Sequence, residues 1–133
     1  MDLSQAQLLV NSYIEGYNDS DVAGMLACLQ PDIIFENIEN SRVTLRLDGK
    51  AAFEDQASKS VGWFMERHQQ VTAFRFEDGR AEADIDYFAI TSVDLPKYGL
   101  KAGTILQFTS KSIFTFRDNL IDSIQDISQG ASS

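Results

Sequence analysis

One cysteine, one histidine and two prolines in 133 residues remove several kinds of chemistry at once. The single thiol, Cys28, excludes an internal disulfide and fits a reducing compartment. Its place in an apolar stripe makes it a small buried hydrophobe rather than a nucleophile. One histidine and one cysteine cannot assemble a standard zinc site. No glycine-rich phosphate loop and no G-x-S-x-G elbow is present, and a serine triad would have to converge on His68. His68 falls at a predicted helix-to-strand junction, where a solvated or capping histidine is the ordinary expectation. No cofactor is therefore expected. Basic residues are also scarce: 11 against 20 acidic ones leave a formal charge of −9. That surface repels phosphate backbones and anionic lipid, so neither nucleic acid nor a membrane is an expected partner. No apolar stretch approaches the roughly 20 residues that cross a bilayer. The start, Met1-Asp2-Leu3-Ser4, lacks the basic and apolar regions of a signal peptide, and the expected location is the cytoplasm.

What is present reads as one globular domain over 1–133. Hydrophobic residues make up 44% and charged residues 23% of the chain. Ser4, with Gln7, is a candidate cap for a first helix in which Leu8, Leu9, Tyr13, Ile14 and Tyr17 recur at helical spacing. Asn18 to Asp21 break it. Asp21 caps a second helix with Val22, Met25, Leu26 and Leu29 on its buried side, and Pro31 is expected to end it. Ile33-Ile34-Phe35 predicts a short strand, Asn40-Ser41 a turn, and Val43, Leu45 and Leu47 a second strand. Phe53, Ala57, Val61 and Phe64 share one face of a third helix, expected to reach about Arg67. Longer strands follow over 70–77, 81–93, 104–116 and 120–127, with a frayed tail expected for 129–133. Leu95 to Gly99 is expected to overhang a pocket mouth. Helices gathered early and strands gathered late imply an α+β domain with an antiparallel sheet.

The run NSYIEGYNDSDVAGMLACLQPDIIFEN, from Asn11 to Asn37, resembles the opening of the nuclear transport factor 2-like superfamily, which includes ketosteroid isomerases and SnoaL-like polyketide cyclases. The resemblance extends in pattern over nearly the whole chain, and its SnoaL-like branch is the nearest. It implies a cone of three helices packed on a curved, mostly antiparallel sheet, with a pocket between them for a small, largely apolar molecule bearing a carbonyl or hydroxyl. It also implies a homodimer formed through the sheet. Tyr13 stands where the isomerases have an oxyanion-hole tyrosine. Asn37, in IIFEN, stands where they have an aspartate base, and Ser112, in SKSIFTF, where they have a protonated aspartate. Those two departures exclude the isomerase mechanism itself, although an amide and a hydroxyl still orient a ligand. Asp126, in SIQDIS, resembles the aspartate of the cyclases' Trp-Asp pair, with Gln125 in place of the tryptophan.

Each assignment has a plain structural alternative. Tyr13 is either a hydrogen-bond donor to a developing oxyanion or an aromatic packing helix on sheet. Asp126 is either a pocket carboxylate of raised pKa or a solvated charge on the last strand. In AEADIDYFAI, alternation places Glu82, Asp84, Asp86, Phe88 and Ile90 on one face and Ala81, Ala83, Ile85, Tyr87 and Ala89 on the other. Alternation alone sends the acids to solvent. The isomerase pattern instead turns Asp86 and Phe88 to the pocket, makes Asp86 the leading general base, and leaves the alanine face for a partner subunit. On the next strand, Leu106, Phe108, Ser110, Ser112, Phe114 and Phe116 share a face, apolar at both ends and polar at its centre. The expected site is Asp86, Asp126 and Tyr13 for proton transfer, with Asn37, Ser112, Tyr17, Phe35, Trp63, Phe88 and Phe108 lining it. The expected activity is cofactor-free isomerisation, cyclisation or dehydration. The alternative is a non-catalytic binding or dimerisation module of the same fold.

Overall fold

The computed structural model describes residues 1–128, so the expected frayed tail at 129–133 lies outside the described residues. The first helix, α1 (Leu3–Asn18), starts two residues earlier than a Ser4 cap would dictate. The Asp2 carboxylate accepts the Gln5 N–H at 2.9 Å, and the Gln5 side chain accepts the Asp2 N–H at 2.9 Å. This reciprocal cap satisfies two orphan donors of the first turn.

Asp21 caps α2 (Val22–Leu26) as expected, accepting from the Gly24 N–H at 3.0 Å. Gly16 lets the two helices meet, since a Cβ there would lie 3.0 Å from both Met25 Cγ and Met25 N. Pro31 does not end α2. The helix stops at Leu26, and Pro31 lies inside strand β1 (Leu29–Glu39). Lacking an N–H, it sits where pairing with the last strand skips from Leu29 to Ile34.

The hairpins share one device. Asn40-Ser41, Asp78-Gly79 and Asp118-Asn119 each put two consecutive residues at positive φ, the turn whose twist matches paired strands. They join β1 to β2 (Arg42–Asp48), β3 (Phe64–Glu77) to β4 (Arg80–Thr91), and β5 (Ile105–Arg117) to β6 (Leu120–Ser128). Helix α3 spans Lys50–Val61 and stops at Gly62, short of the expected Arg67. Phe64 and Arg67 belong to β3 instead, because pairing with β4 from Phe64↔Thr91 onward supplies their backbone partners.

The six strands form one sheet in the order β2-β1-β6-β5-β4-β3. Every neighbouring pair is antiparallel apart from β1 and β6. Three helices pack on this mostly antiparallel, unclosed sheet, which is the α+β cone. The helix-facing side of the sheet carries Ala81, Ala83, Ile85, Phe114, Ile121 and Ile124, all excluded from solvent. They meet Val10, Tyr13 and Ile14 of α1 and Phe53 of α3 in one core cluster. The alanines therefore face the helices, where short side chains admit a close layer, and do not form a free face for a partner subunit. No helix among the described residues is long and apolar enough to cross a membrane.

One side chain fastens the end of α1 to the sheet. Asn18 Nδ2 donates to the Gln69 carbonyl at 2.9 Å, and Asn18 Oδ1 accepts the Gln69 N–H at 2.8 Å. Both bonds are partly buried, so Asn18→Ala strands a donor and an acceptor of β3. The expected cost is about 1–3 kcal/mol, read by denaturant unfolding, whereas Ser20→Ala on the exposed turn should be near neutral.

Candidate functional site

Two rows of side chains on the helix-facing side of the sheet carry the polar chemistry. In the first, Ser112 of β5 is opposite Asp126 of β6 on one flank and Ala83 of β4 on the other. Asp126 is in turn opposite Asn37 of β1. Ser112 is 3% exposed, and its hydroxyl donates to Asp126 Oδ1 at 2.7 Å. Asp126 keeps partial exposure, yet protein atoms crowd its carboxyl group. Burial pushes its pKa up to about 6, and the Ser112 hydrogen bond only partly opposes this. Asn37 shares the row, but its amide donates to Thr44 Oγ1 at 2.9 Å and to Glu39 Oε1 at 3.4 Å. Those bonds hold it at the β1 bulge rather than directing it at Asp126.

The second row lies four residues along β5, about 13 Å away by strand rise. Tyr87 of β4 is opposite Phe108 of β5 and Gln69 of β3, and its ring stacks on Phe108 at 4.8 Å between centroids. The Tyr17 and Tyr87 hydroxyls are 2.9 Å apart. Two hydroxyls bring two hydrogens and their mutual bond uses one, so the pair retains one O–H for a ligand oxygen. Above the Tyr17 ring sits the guanidinium of Arg67, 4.1 Å from the ring centroid. Burial raises the pKa of both Tyr17 and Tyr87, and the Arg67 charge counteracts it at each. The charge of Asp126 also raises both, as a lesser effect than burial.

Tyr13 lies deeper. It is 5% exposed, with its ring edge-on to Phe114 at 6.0 Å and tilted against Phe53 at 6.3 Å. Burial, then the Asp126 charge, holds its pKa well above the ordinary tyrosine value. Tyr13 thus forms part of the core wall beside the acid. Phe35 does the same from β1, edge-on to Phe53 at 5.7 Å.

Asp86 and Phe88 are not in this cluster. Asp86 is exposed on the outer face of β4, and Phe88 shares that parity, opposite His68 and Gln107. The isomerase overlay is wrong by one residue of parity, and plain alternation is right: the apolar set Ala81, Ala83, Ile85 and Ala89 must be buried, which turns the acids out. Asp86 instead borders an open hollow of about 730 Å³ on the outer face, together with Arg80, Glu82, Asp84, Thr109 and Lys111. Trp63 lies just beyond α3 and tilts against Tyr98 at 6.1 Å. Tyr98 belongs to the short 3-10 turn Pro96–Tyr98, between the bridged residues Leu95 and Leu100. This loop packs over Trp63, away from Asp126.

Sequence reasoning missed Arg67 and Tyr87. Tyr87 was legible, since it shares parity with the alanines. Arg67 was hidden by the misplaced end of α3; once β3 begins at Phe64, Arg67, Gln69 and Val71 alternate inward against exposed His68 and Gln70. Among the described residues no three His, Cys, Asp or Glu side chains come together in a way that would hold a metal ion.

No family model matches the sequence, and no curated protein matches it. Solved structures do match in shape. A protein from Xanthomonas campestris pv. campestris classed as a polyketide cyclase superposes with a TM-score of 0.80 at 20% identity, covering 94% of this chain and 90% of its own. A protein from Jannaschia sp. CCS1 classed as a SnoaL-like polyketide cyclase gives 0.78 at 10% identity, covering 92% and 84%. An LEH-like epoxide hydrolase from M. tuberculosis gives 0.75 at 14% identity, covering 93% and 82%. At these identities the likeness establishes the fold.

Proposed function

We propose that this chain, an α+β cone of the nuclear transport factor 2-like kind, catalyses cofactor-free proton transfer on a small, largely apolar molecule bearing a carbonyl. The observation that carries the reading is Asp126: a carboxylate on the helix-facing side of the sheet, fixed by Ser112 at 2.7 Å and raised to about 6. A base with that pKa is mostly ionised at pH 7 and still basic enough to take a proton from carbon. The Asp126 carboxylate removes a proton next to the substrate carbonyl, and the electron pair moves into an enolate. The remaining O–H of the Tyr17–Tyr87 pair, one row away, donates to a second ligand oxygen conjugated with that enolate, so the negative charge is shared along the ligand. Returning the proton at another carbon, or closing a ring with the enolate carbon, completes isomerisation or cyclisation. Shape neighbours classed as polyketide cyclases support that reaction type.

The test is deuterium incorporation at the α-carbon of 1-tetralone in D₂O, followed by NMR. Wild-type protein should accelerate exchange, with the rate rising through an inflection near pH 6 as Asp126 ionises. Asp126→Asn should lose about 100-fold or more of that acceleration. Asp86→Asn, on the outer face, should leave it unchanged. Exchange equal to buffer, or equal in wild type and Asp126→Asn, would leave this face as a binding surface without chemistry.

A further inference from the structure

Arg67 is 8% exposed, and its Nε is buried with no hydrogen-bond partner. One terminal nitrogen, Nη1, donates to Ser60 Oγ at 3.2 Å. Among the described residues it has no carboxylate within ion-pairing distance, whereas the surface residues Arg46, Arg75, Arg80 and Arg117 each sit beside one. A chain with nine excess negative charges has thus buried a cation and left its counterion out. The Tyr17 face at 4.1 Å and the Phe64 face at 5.8 Å offset part of the desolvation, but an aromatic face does not occupy the N–H donors.

Among the described residues, the protein itself supplies no acceptor for that Nε. Opposite Arg67 on β4 is Ala89, whose methyl group fills little of the helix-facing side. The neighbouring buried hydroxyl, Thr91, is committed to the Lys101 carbonyl at 2.7 Å and to the Thr104 N–H at 2.9 Å. Along β4, the Ala89 position opposite Arg67 and the Ala83 row of Ser112 and Asp126 are six residues apart, about 20 Å by strand rise. The stacked Tyr87 and Phe108 rings form the flat wall between them.

We propose that Arg67 is the binding residue for a second, acidic group of the ligand: a carboxylate or phenolate on a flat ring system, whose carbonyl end extends toward Asp126. This rests on the reading of that face as the ligand site, and it names the substrate class: planar oxyanions are taken in preference to their neutral counterparts. The guanidinium fork suits such a group, supplying parallel N–H donors in one plane.

Calorimetric titration with 2-naphthoate and with the neutral 2-naphthamide tests it. Wild type should bind the acid about tenfold or more tightly than the amide. Arg67→Gln should abolish that preference. Arg67→Lys, which keeps the charge but not the fork, should retain part of it and serves if the glutamine variant fails to fold. Asp126→Asn should keep the preference in full, which separates this inference from proton transfer: loss of exchange with the preference intact sinks the catalytic reading alone. Equal affinity for acid and amide in wild type, no binding of either to folded protein, or a preference that survives Arg67→Gln would each overturn the proposal.

Discussion

Asp126→Asn is expected to inactivate the protein and, at pH 7, to make it more stable. A carboxyl whose pKa rises from 3.8 unfolded to about 6 folded binds its proton more tightly in the native state. The stability this contributes is fully present below the unfolded value and is lost as pH rises through the folded one. At neutral pH the native state therefore carries a strained, ionised group, at a cost of up to about 3 kcal/mol. The amide of asparagine carries no charge and can still accept from Ser112 through its oxygen. A gain of about 1–3 kcal/mol follows, or several degrees in Tm for a domain of this size. The gain should shrink as pH falls through about 6 and vanish below about pH 3, where aspartic acid and asparagine are both neutral in the folded and the unfolded chain. Asp32 and Asp84, held low by Arg117 and Arg75, act with the opposite sign and lose their contribution as pH falls. They are common to both proteins, so the difference between the two stability profiles isolates Asp126. A variant equally or less stable at pH 7 would mean that the carboxylate is already well compensated.

Phe114→Ala should be the most damaging single truncation. Phe114 is 0% exposed and sits between Ala81 of β4 and Ile124 of β6, both also 0% exposed. Its ring meets the edge of Tyr13 at 6.0 Å, so it joins helix to sheet at the centre of the core. Small neighbours cannot close the gap, because Ala81 and Ala83 have no side chain to swing in. The expected loss is about 3–5 kcal/mol, against a total of about 5–15 kcal/mol for a typical domain. Phe114→Leu, which keeps most of the volume, should cost less than about 2 kcal/mol. Truncation also frees the Tyr13 ring beside Asp126, so residual folded protein should show a shifted Asp126 titration. Urea unfolding measures both losses, and a cost below about 1 kcal/mol for the alanine variant would place Phe114 outside the core.

Much of the cone was legible because its hairpins and inner faces follow simple rules. Asn40-Ser41, Asp78-Gly79 and Asp118-Asn119 are turn pairs, and the alternation of Leu106 to Phe116 gave the inner face of β5 correctly. Boundaries failed where two signals overlapped. Leu29 continued a helical stripe that Pro31 was expected to end, yet both belong to β1, and Phe64 continued another yet begins β3. In both places long-range pairing decided, and no local pattern records it. Asp126 and Ser112 were named as candidates, but their contact depends on the register of β5 against β6. Asp86 went astray because a borrowed pattern overrode the stronger burial rule for alanine and isoleucine.

The measurement that bears most directly on the site is the titration of the Asp126 side-chain carboxyl by ¹³C NMR, assigned by its disappearance in Asp126→Asn. An apparent pKa near 6 is expected, well clear of the exposed carboxylates. A value at or below about 4 would show an ordinary ionised aspartate with no catalytic poise, and the proton-transfer account would fall with it.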